Sequence, residues 1–248
     1  MKLYDNVISS WQNLLDEFAG EGEAKKNLQK KILSLESNWT DSGKKNMVLR
    51  SEMAYELGGS ENQFYALGGT AVTSNEIFVP EDQILLYGKD LAEITEEGSY
   101  ARISICRVQE DSMGEGESLY KAIKNLEYVR YHVNPEGFMS RVSSLQGRES
   151  VRVSKEAIKK GISFSDVGSL MIKNFHKDPK VIAAKVIFIT ASDFPYAALE
   201  NEIKKADDIT KAIDHIMSSS LMDCGTCGLQ KICDEVEGMR ELHFEKTQ

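Results

Sequence analysis

The chain has 248 residues, of which 41% are hydrophobic and 28% are charged, an ordinary composition for a folded globular protein. Its formal net charge of −9 disfavours nucleic acid and anionic membranes as main partners, because an acidic surface repels polyanions. No apolar run approaches the roughly 18 residues of a transmembrane helix, and the N-terminus lacks the continuous apolar core of a signal peptide. We therefore expect a cytoplasmic protein, in which clustered thiols serve metal or redox chemistry more often than disulfides.

The first 45 residues predict a pair of helices. The first helix has apolar positions at helical spacing: Leu3, Val7, Trp11, Leu14, Leu15 and Phe18. Gly20 and Gly22 end it, and a second helix is predicted to begin near Ala24. That second helix carries Leu28, Ile32 and Leu35 at packing positions. Residues 36–45 predict a polar linker, so we expect the pair to pack on the body of the chain or on a partner, including a homo-oligomer.

Residues 46–220 predict a body in which strands and helices mix without a strict βαβ rhythm. The predicted strands are residues 47–57, 64–73, 84–87, 100–108 and 183–190. The predicted helices are residues 116–130, two short helices with Ser154 and Ser165 as N-caps, and a long helix from Asp193–Pro195 to about Ser218. Residues 183–190 are apolar on both faces, which indicates a central strand. The pattern predicts an α+β fold: a mixed sheet with packed helices, the N-terminal helical pair and a C-terminal cysteine loop.

Three of the four cysteines lie within ten residues, in a predicted metal-binding tail spanning residues 221–248. Cys224, Cys227 and Cys233 have the spacing C-x2-C-x5-C, and thiolates are soft ligands that select iron–sulfur clusters, zinc or copper(I). A complete zinc site usually has two paired ligand sets, whereas one C-x2-C pair is present here. We therefore predict a 4Fe–4S cluster and keep zinc as the alternative.

A four-iron cluster needs four ligands, and the three tail cysteines supply only three. Cys106 is the remaining thiol, on the predicted strand opposite the face that carries Ala101, Ile103 and Ile105. The spacing is similar to that of certain cluster-binding nucleases in which a fourth cysteine lies far upstream. We therefore take Cys106 as the candidate fourth ligand. The alternatives are a purely structural cysteine and an open iron position that binds substrate.

Four stretches resemble the middle region of the acetyl-CoA synthase beta subunit of the carbon monoxide dehydrogenase/acetyl-CoA synthase complex. They are residues 52–59, 84–94, 151–178 and 185–190. In that family the middle region is associated with coenzyme A, so the resemblance implies that basic residues of the body contact its phosphates. The candidates are Arg102, Arg152 and Lys155. Cys224 and Cys227 stand where the family begins its nickel–iron–sulfur A-cluster.

The chain departs from the family after Cys227. Cys233 follows too early, and no C-x-C pair that would hold a distal nickel is present. We therefore expect an incomplete A-cluster domain, no nickel, and no acetyl-CoA synthesis by this chain alone, and we leave open whether it is an enzyme.

The resemblance implies an iron–sulfur accessory or electron-transfer protein of anaerobic one-carbon and acetyl-CoA metabolism, which docks with a larger metalloenzyme or redox partner. One alternative is a partial enzyme that binds coenzyme A beside an open-site cluster. Another is an assembly module stabilised by zinc.

Overall fold

The computed structural model describes residues 2–20, 30–43, 46–59, 63–110, 112–115, 117–143, 148–218, 231–232 and 236. In chain order its elements are α1 (Asp5–Gly20), β1 (Lys30–Leu33), β2 (Met53–Leu57), β3 (Ala66–Thr73), β4 (Gln83–Tyr87), β5 (Tyr100–Val108), α2 (Glu117–Tyr128), β6 (Phe138–Ser143), β7 (Arg148–Ser154), α3 (Lys155–Lys159), α4 (Phe164–Phe175), β8 (Val181–Ile189) and α5 (Tyr196–Ser218). Short 3-10 turns lie at Leu91–Glu93 and Val129–Tyr131. No helix within these ranges is long and apolar enough to cross a membrane.

The described strands form one mixed sheet in the order β1-β4-β8-β5-β3-β7-β2, with β6 paired to β7. β3 pairs with β5 and β4 pairs with β8 in parallel, and the other pairs are antiparallel. β8 lies between β4 and β5 and is buried along nearly its whole length, which confirms its predicted central position. The predicted α+β class is also confirmed.

Helices cover both faces of this sheet. On one side, here called the α4 face, Phe164 of α4 stacks on Phe188 of β8 with ring centroids 4.5 Å apart. On the other, the α1/α5 face, a Cβ atom built on Gly69 of β3 would lie 3.1 Å from Ile203 and 3.3 Å from Trp11. Glycine at this position therefore allows α5 and α1 to approach the strand closely. α2 also lies on this side, against α5 and β3.

The first helix belongs to the core. Trp11 is fully buried, and the Tyr4 hydroxyl forms a hydrogen bond with Thr210 Oγ1 of α5 at 2.8 Å. Near the start of α1, the Asp5 carboxylate accepts a hydrogen bond of 2.7 Å from Thr73 at the end of β3. In this structure α1 therefore packs on the body of the chain, one of the two arrangements predicted for it.

The predicted second helix is wrong where the structure describes it. Lys30–Leu33 form β1, which pairs antiparallel with β4 and places Ile32 opposite Leu85. Residues 21–29, where the helix was expected to begin, lie outside the described residues. Ile32 is 76% exposed, so its helical spacing does not reflect a buried helix face. Pairing with the free edge of β4 satisfies the backbone here and overrides the local pattern.

Two N-cap predictions have different outcomes. Ser154 caps α3 as predicted, because its side chain accepts a hydrogen bond from the Ala157 amide. α4 begins earlier than predicted, since Ser163 and not Ser165 is its N-cap. Asp166 completes a capping box by accepting from the Ser163 amide, and this reciprocal pair fixes the start of the helix.

The buried position of Trp11 leads to a stability prediction. We expect Trp11→Ala to lower the free energy of unfolding by about 3–5 kcal/mol, because it leaves a cavity between α1, β3 and α5. Urea denaturation followed by circular dichroism measures the loss. The matched control is Trp39→Ala, since Trp39 is partly exposed on a connecting segment. A loss for Trp11→Ala no larger than the loss for Trp39→Ala would contradict the core position of α1.

Candidate functional site

The predicted metal ligands of the tail lie outside the described residues. These are Cys224, Cys227 and Cys233, of which Cys233 is bracketed by the described residues Ile232 and Val236. In the described part of the chain, no group of three or more histidine, cysteine, aspartate or glutamate side chains could hold a metal ion. The spacing of the three thiols therefore remains the basis for the predicted metal site.

Ile232 and Val236 show where the tail returns to the body. Both are partly buried and pack against the hydrophobic core. With Leu3, Val7 and Ile209 they line a cavity of about 210 Å³, here called the tail groove, between α1 and α5. The part of the tail next to Cys233 is thus held on the α1/α5 face.

Cys106 lies inside the sheet and points to the opposite face. It is fully buried in β5, between β3 and β8. The register with β8 is continuous over residues 101–107, so Cys106 shares the α4 face with Arg102. Burial raises the pKa of the Cys106 thiol well above its usual range. The sheet separates this thiol from Ile232 and Val236, and its role as a ligand stays a prediction.

Arg102 has its partners inside the protein. Its side chain is 2% exposed and makes two contacts with Glu149 of β7, Nε to Oε1 at 2.5 Å and Nη2 to Oε2 at 2.7 Å. Nη1 donates to Ser104 Oγ at 2.6 Å. Burial alone would lower the pKa of Arg102, but the charge and hydrogen bonds of Glu149 outweigh it and raise the pKa. This geometry gives no support to the predicted phosphate contact of Arg102.

Gly68 makes room for this ion pair. It lies on β3 directly opposite Arg102 of β5, and a Cβ atom at this position would lie 2.0 Å from Glu149 Oε2. A third charge approaches the same carboxylate, with Arg130 Nη1 3.8 Å from Glu149 Oε2. The pair therefore connects β5 to β7 across β3, which itself shares a single register pair with β7, Leu67 with Arg148.

Arg152 lies at the β2 edge of the sheet, in a second charge cluster. Its Nε is 2.8 Å from Glu56 Oε2 of β2, and Arg141 Nη1 of β6 is 2.5 Å from Glu56 Oε1. The Arg152 side chain is 22% exposed and that of Arg141 is 47% exposed. Two guanidinium groups share one carboxylate, so the cluster carries an excess positive charge that solvent can reach. Arg152 is accordingly accessible to an anion, unlike Arg102.

Lys155 lines a larger cavity, of about 590 Å³, beside α3. Lys159 contributes to the same wall, and Trp39 and Met47 provide apolar surface. Among the described residues neither Lys155 nor Lys159 has an ion-pair partner, whereas Lys160 is paired with Glu136 and Glu156. Sites for small molecules have volumes of about 300–1,000 Å³ and combine apolar walls with a few polar groups. This cavity, here called the α3 cavity, meets that description.

A comparison with known families identifies the body. Residues 42–193 match the family described as the CO dehydrogenase/acetyl-CoA synthase complex beta subunit. The chain belongs to this family. The resemblance inferred from the sequence is therefore confirmed, and no curated protein matches the chain.

The matched region of this beta-subunit family member has a clear structural meaning. It begins before β2 and ends after β8, so it contains seven of the eight described strands and helices α2 to α4. Cys106, Arg102, Arg152 and Lys155 all lie inside it. α1, α5 and the three tail cysteines lie outside it, and α1 and α5 together cover one face of the matched sheet.

Sequence reasoning missed three residues that shape these sites in the family member. Glu149 and Glu56 pair with the predicted arginines, but each is distant in sequence from its partner and carries no local signal. Gly68 did have a signal, since two adjacent glycines inside a predicted strand indicate close approach of another group. The nature of that group, a buried carboxylate, could not be inferred from the glycines.

We expect Glu149→Gln to destabilise the protein by about 3–5 kcal/mol, because it leaves the Arg102 charge buried without a counter-charge. Equilibrium unfolding in urea measures the change. Replacing both partners, as in Arg102→Met with Glu149→Leu, removes the unpaired charge and should cost less than Glu149→Gln alone. A double variant that is less stable than the single one would contradict the role assigned to the pair.

Proposed function

We propose that the chain is an iron–sulfur accessory or electron-transfer protein of a CO dehydrogenase/acetyl-CoA synthase complex, acting in anaerobic one-carbon and acetyl-CoA metabolism. The observation that carries this proposal is a C-x2-C-x5-C segment directly after α5 in a chain whose body belongs to the beta-subunit family. The family is described as a subunit of a complex, which supports a larger metalloenzyme or redox protein as the partner. The proposal places the chain in the cytoplasm.

The donor set fits an iron–sulfur cluster. Cys224, Cys227 and Cys233 would bind three irons through thiolate sulfur, and such a cluster supplies a one-electron couple when bound. Gly225 and Gly228 give the backbone the freedom to fold closely around these ligands. The apolar contacts of Ile232 and Val236 would shield one side of the site from water, a factor that influences the redox potential.

The fourth ligand is the open part of the proposal. Cys106 remains the candidate thiol, but its position on the α4 face requires the tail or the sheet to rearrange before it could join the other three cysteines. An open iron position is the alternative, and it would favour binding of a substrate or of a ligand from the partner protein. The chain thus serves electron transfer with four fixed ligands, or a partial enzymatic role with three.

The α3 cavity favours a second candidate function, a partial enzyme that binds coenzyme A. Lys155 and Lys159 offer two cationic groups that no described carboxylate neutralises, and the Trp39 ring offers a flat apolar surface for a base. Arg152 adds a solvent-accessible cation in the charge cluster at the β2 edge. Of the three residues predicted to contact phosphate, Lys155 and Arg152 therefore keep a place in this proposal.

Metal analysis tests the first proposal. Protein isolated without oxygen should be brown and contain about four iron and four sulfide per chain, with no nickel. Cys227→Ser should lose or convert the cluster. Iron content and electron paramagnetic resonance of Cys106→Ser then report on the fourth ligand, because an unchanged spectrum assigns that position to another group. Stoichiometric zinc without acid-labile sulfide would replace the electron-transfer proposal by the zinc-stabilised assembly module.

Calorimetry with the full chain tests the second proposal. We expect coenzyme A to bind the wild type, and Lys155→Ala with Lys159→Ala to weaken binding by at least about tenfold, because each lost charge-assisted contact costs about 1.5–3 kcal/mol. Lys173→Ala is the matched control, since Lys173 is exposed on α4 and does not line the cavity. Equal affinities of the wild type and the double variant would exclude the α3 cavity as the site.

A further inference from the structure

The tail groove holds two residues of the tail in a defined orientation. The Val236 amide donates a hydrogen bond of 3.0 Å to the Ile232 carbonyl, which is the i to i+4 bond of one helical turn. Residues four apart on such a turn lie on the same side, so both side chains face the same surface. That surface consists of Leu3 and Val7 of α1 and Ile209 of α5. The contact is apolar and involves both helices.

A second feature of the groove is an unpaired polar atom. Glu202 of α5 lines the groove and places one carboxylate oxygen, Oε1, 2.7 Å from Lys205 Nζ. Its other oxygen, Oε2, is buried and has no hydrogen-bond partner in the described part of the chain. Buried carboxylate oxygens nearly always accept a hydrogen bond, so a donor is missing from the described ranges. The undescribed residues of the tail are the nearest segment in sequence to Ile232 that could provide one.

The path of the chain explains why the tail and not another segment occupies the groove. α5 continues nine residues beyond Ile209 to Ser218, a rise of about 14 Å away from the groove. Ile232 is nevertheless back beside Ile209. The chain therefore reverses between Ser218 and Ile232, and Cys224 and Cys227 lie within this reversal. A metal bound by these cysteines together with Cys233 would close the loop, which removes conformational freedom that an open loop retains.

We propose that the tail groove is the docking site of the cysteine tail, and that docking and metal binding stabilise each other. The inference rests on the proposed metal site for the coupling, whereas the docking itself rests on Ile232, Val236 and Glu202. The helix α1, which contributes no predicted ligand, acts in this arrangement as a positioning element for the metal site.

The test uses the full chain carrying Ile232→Ser and Val236→Ser, neither of which belongs to the buried core of the sheet. Hydrogen exchange of the first two turns of α1 in metal-free protein reports docking without any metal. We expect about five- to tenfold faster exchange in the variant, because two partly buried apolar side chains no longer hold the tail in place. In protein reconstituted with iron and sulfide, we expect iron release to a chelator to accelerate by a similar factor.

The control is Ile77→Ser, an equivalent substitution at a site that is 83% exposed and does not line the groove. It should match the wild type in both measurements. Exchange in α1 that is the same in the double variant and the wild type would overturn the docking. Faster exchange with unchanged iron release would overturn the coupling. If the wild type binds no iron, the proposed function fails, and the exchange of metal-free protein still decides whether the tail docks.

Discussion

The buried pair of Arg102 and Glu149 is the constraint on which the sheet depends. β3 and β7 share one backbone register pair, so backbone hydrogen bonds alone connect the two parts of the sheet weakly at this point. The guanidinium group crosses this junction above Gly68 and binds a carboxylate on β7 with both of its oxygens. Two charges removed from water must remain paired, which fixes β5, β3 and β7 relative to one another. The edge beyond β7, with the Arg152 cluster and α3, is positioned through this junction.

The sequence predicted the fold class and the elements whose patterns are strong, but it did not predict the junction. Strict alternation placed Arg102 and Ile103 on opposite faces of β5, as the structure confirms. Alternation cannot reveal a partner 47 residues away, and Glu149 lies in a polar stretch that gave no strand signal. β7 was missed because it runs directly into the capping signal of Ser154. β1 was assigned to a helix because a short strand takes its stability from β4 and not from its own sequence.

The candidate sites show the same division between chemistry and placement. Cysteine spacing indicates which metals the tail can bind, since ligand type follows from residue type. It does not indicate that the sheet lies between Cys106 and the residues flanking Cys233. Likewise, Arg152 and Lys155 are three residues apart in sequence, yet one pairs with Glu56 and the other lines the α3 cavity. Positive charge is visible in a sequence, whereas the carboxylates that neutralise it become visible only when distant strands pair.

The contact between α1 and α5 also affects how the protein folds during its synthesis. The hydrogen bond from Tyr4 to Thr210 joins residues 206 positions apart. A ribosome adding about 5–20 residues per second needs about 10–40 s to produce α5 after α1 has emerged. Throughout that interval the apolar stripe of α1 has no helix to pair with, and one face of the growing sheet lacks half of its cover. The nascent chain is therefore exposed to aggregation until its last helix is made, and a chaperone that binds apolar helices would find α1 as its first target.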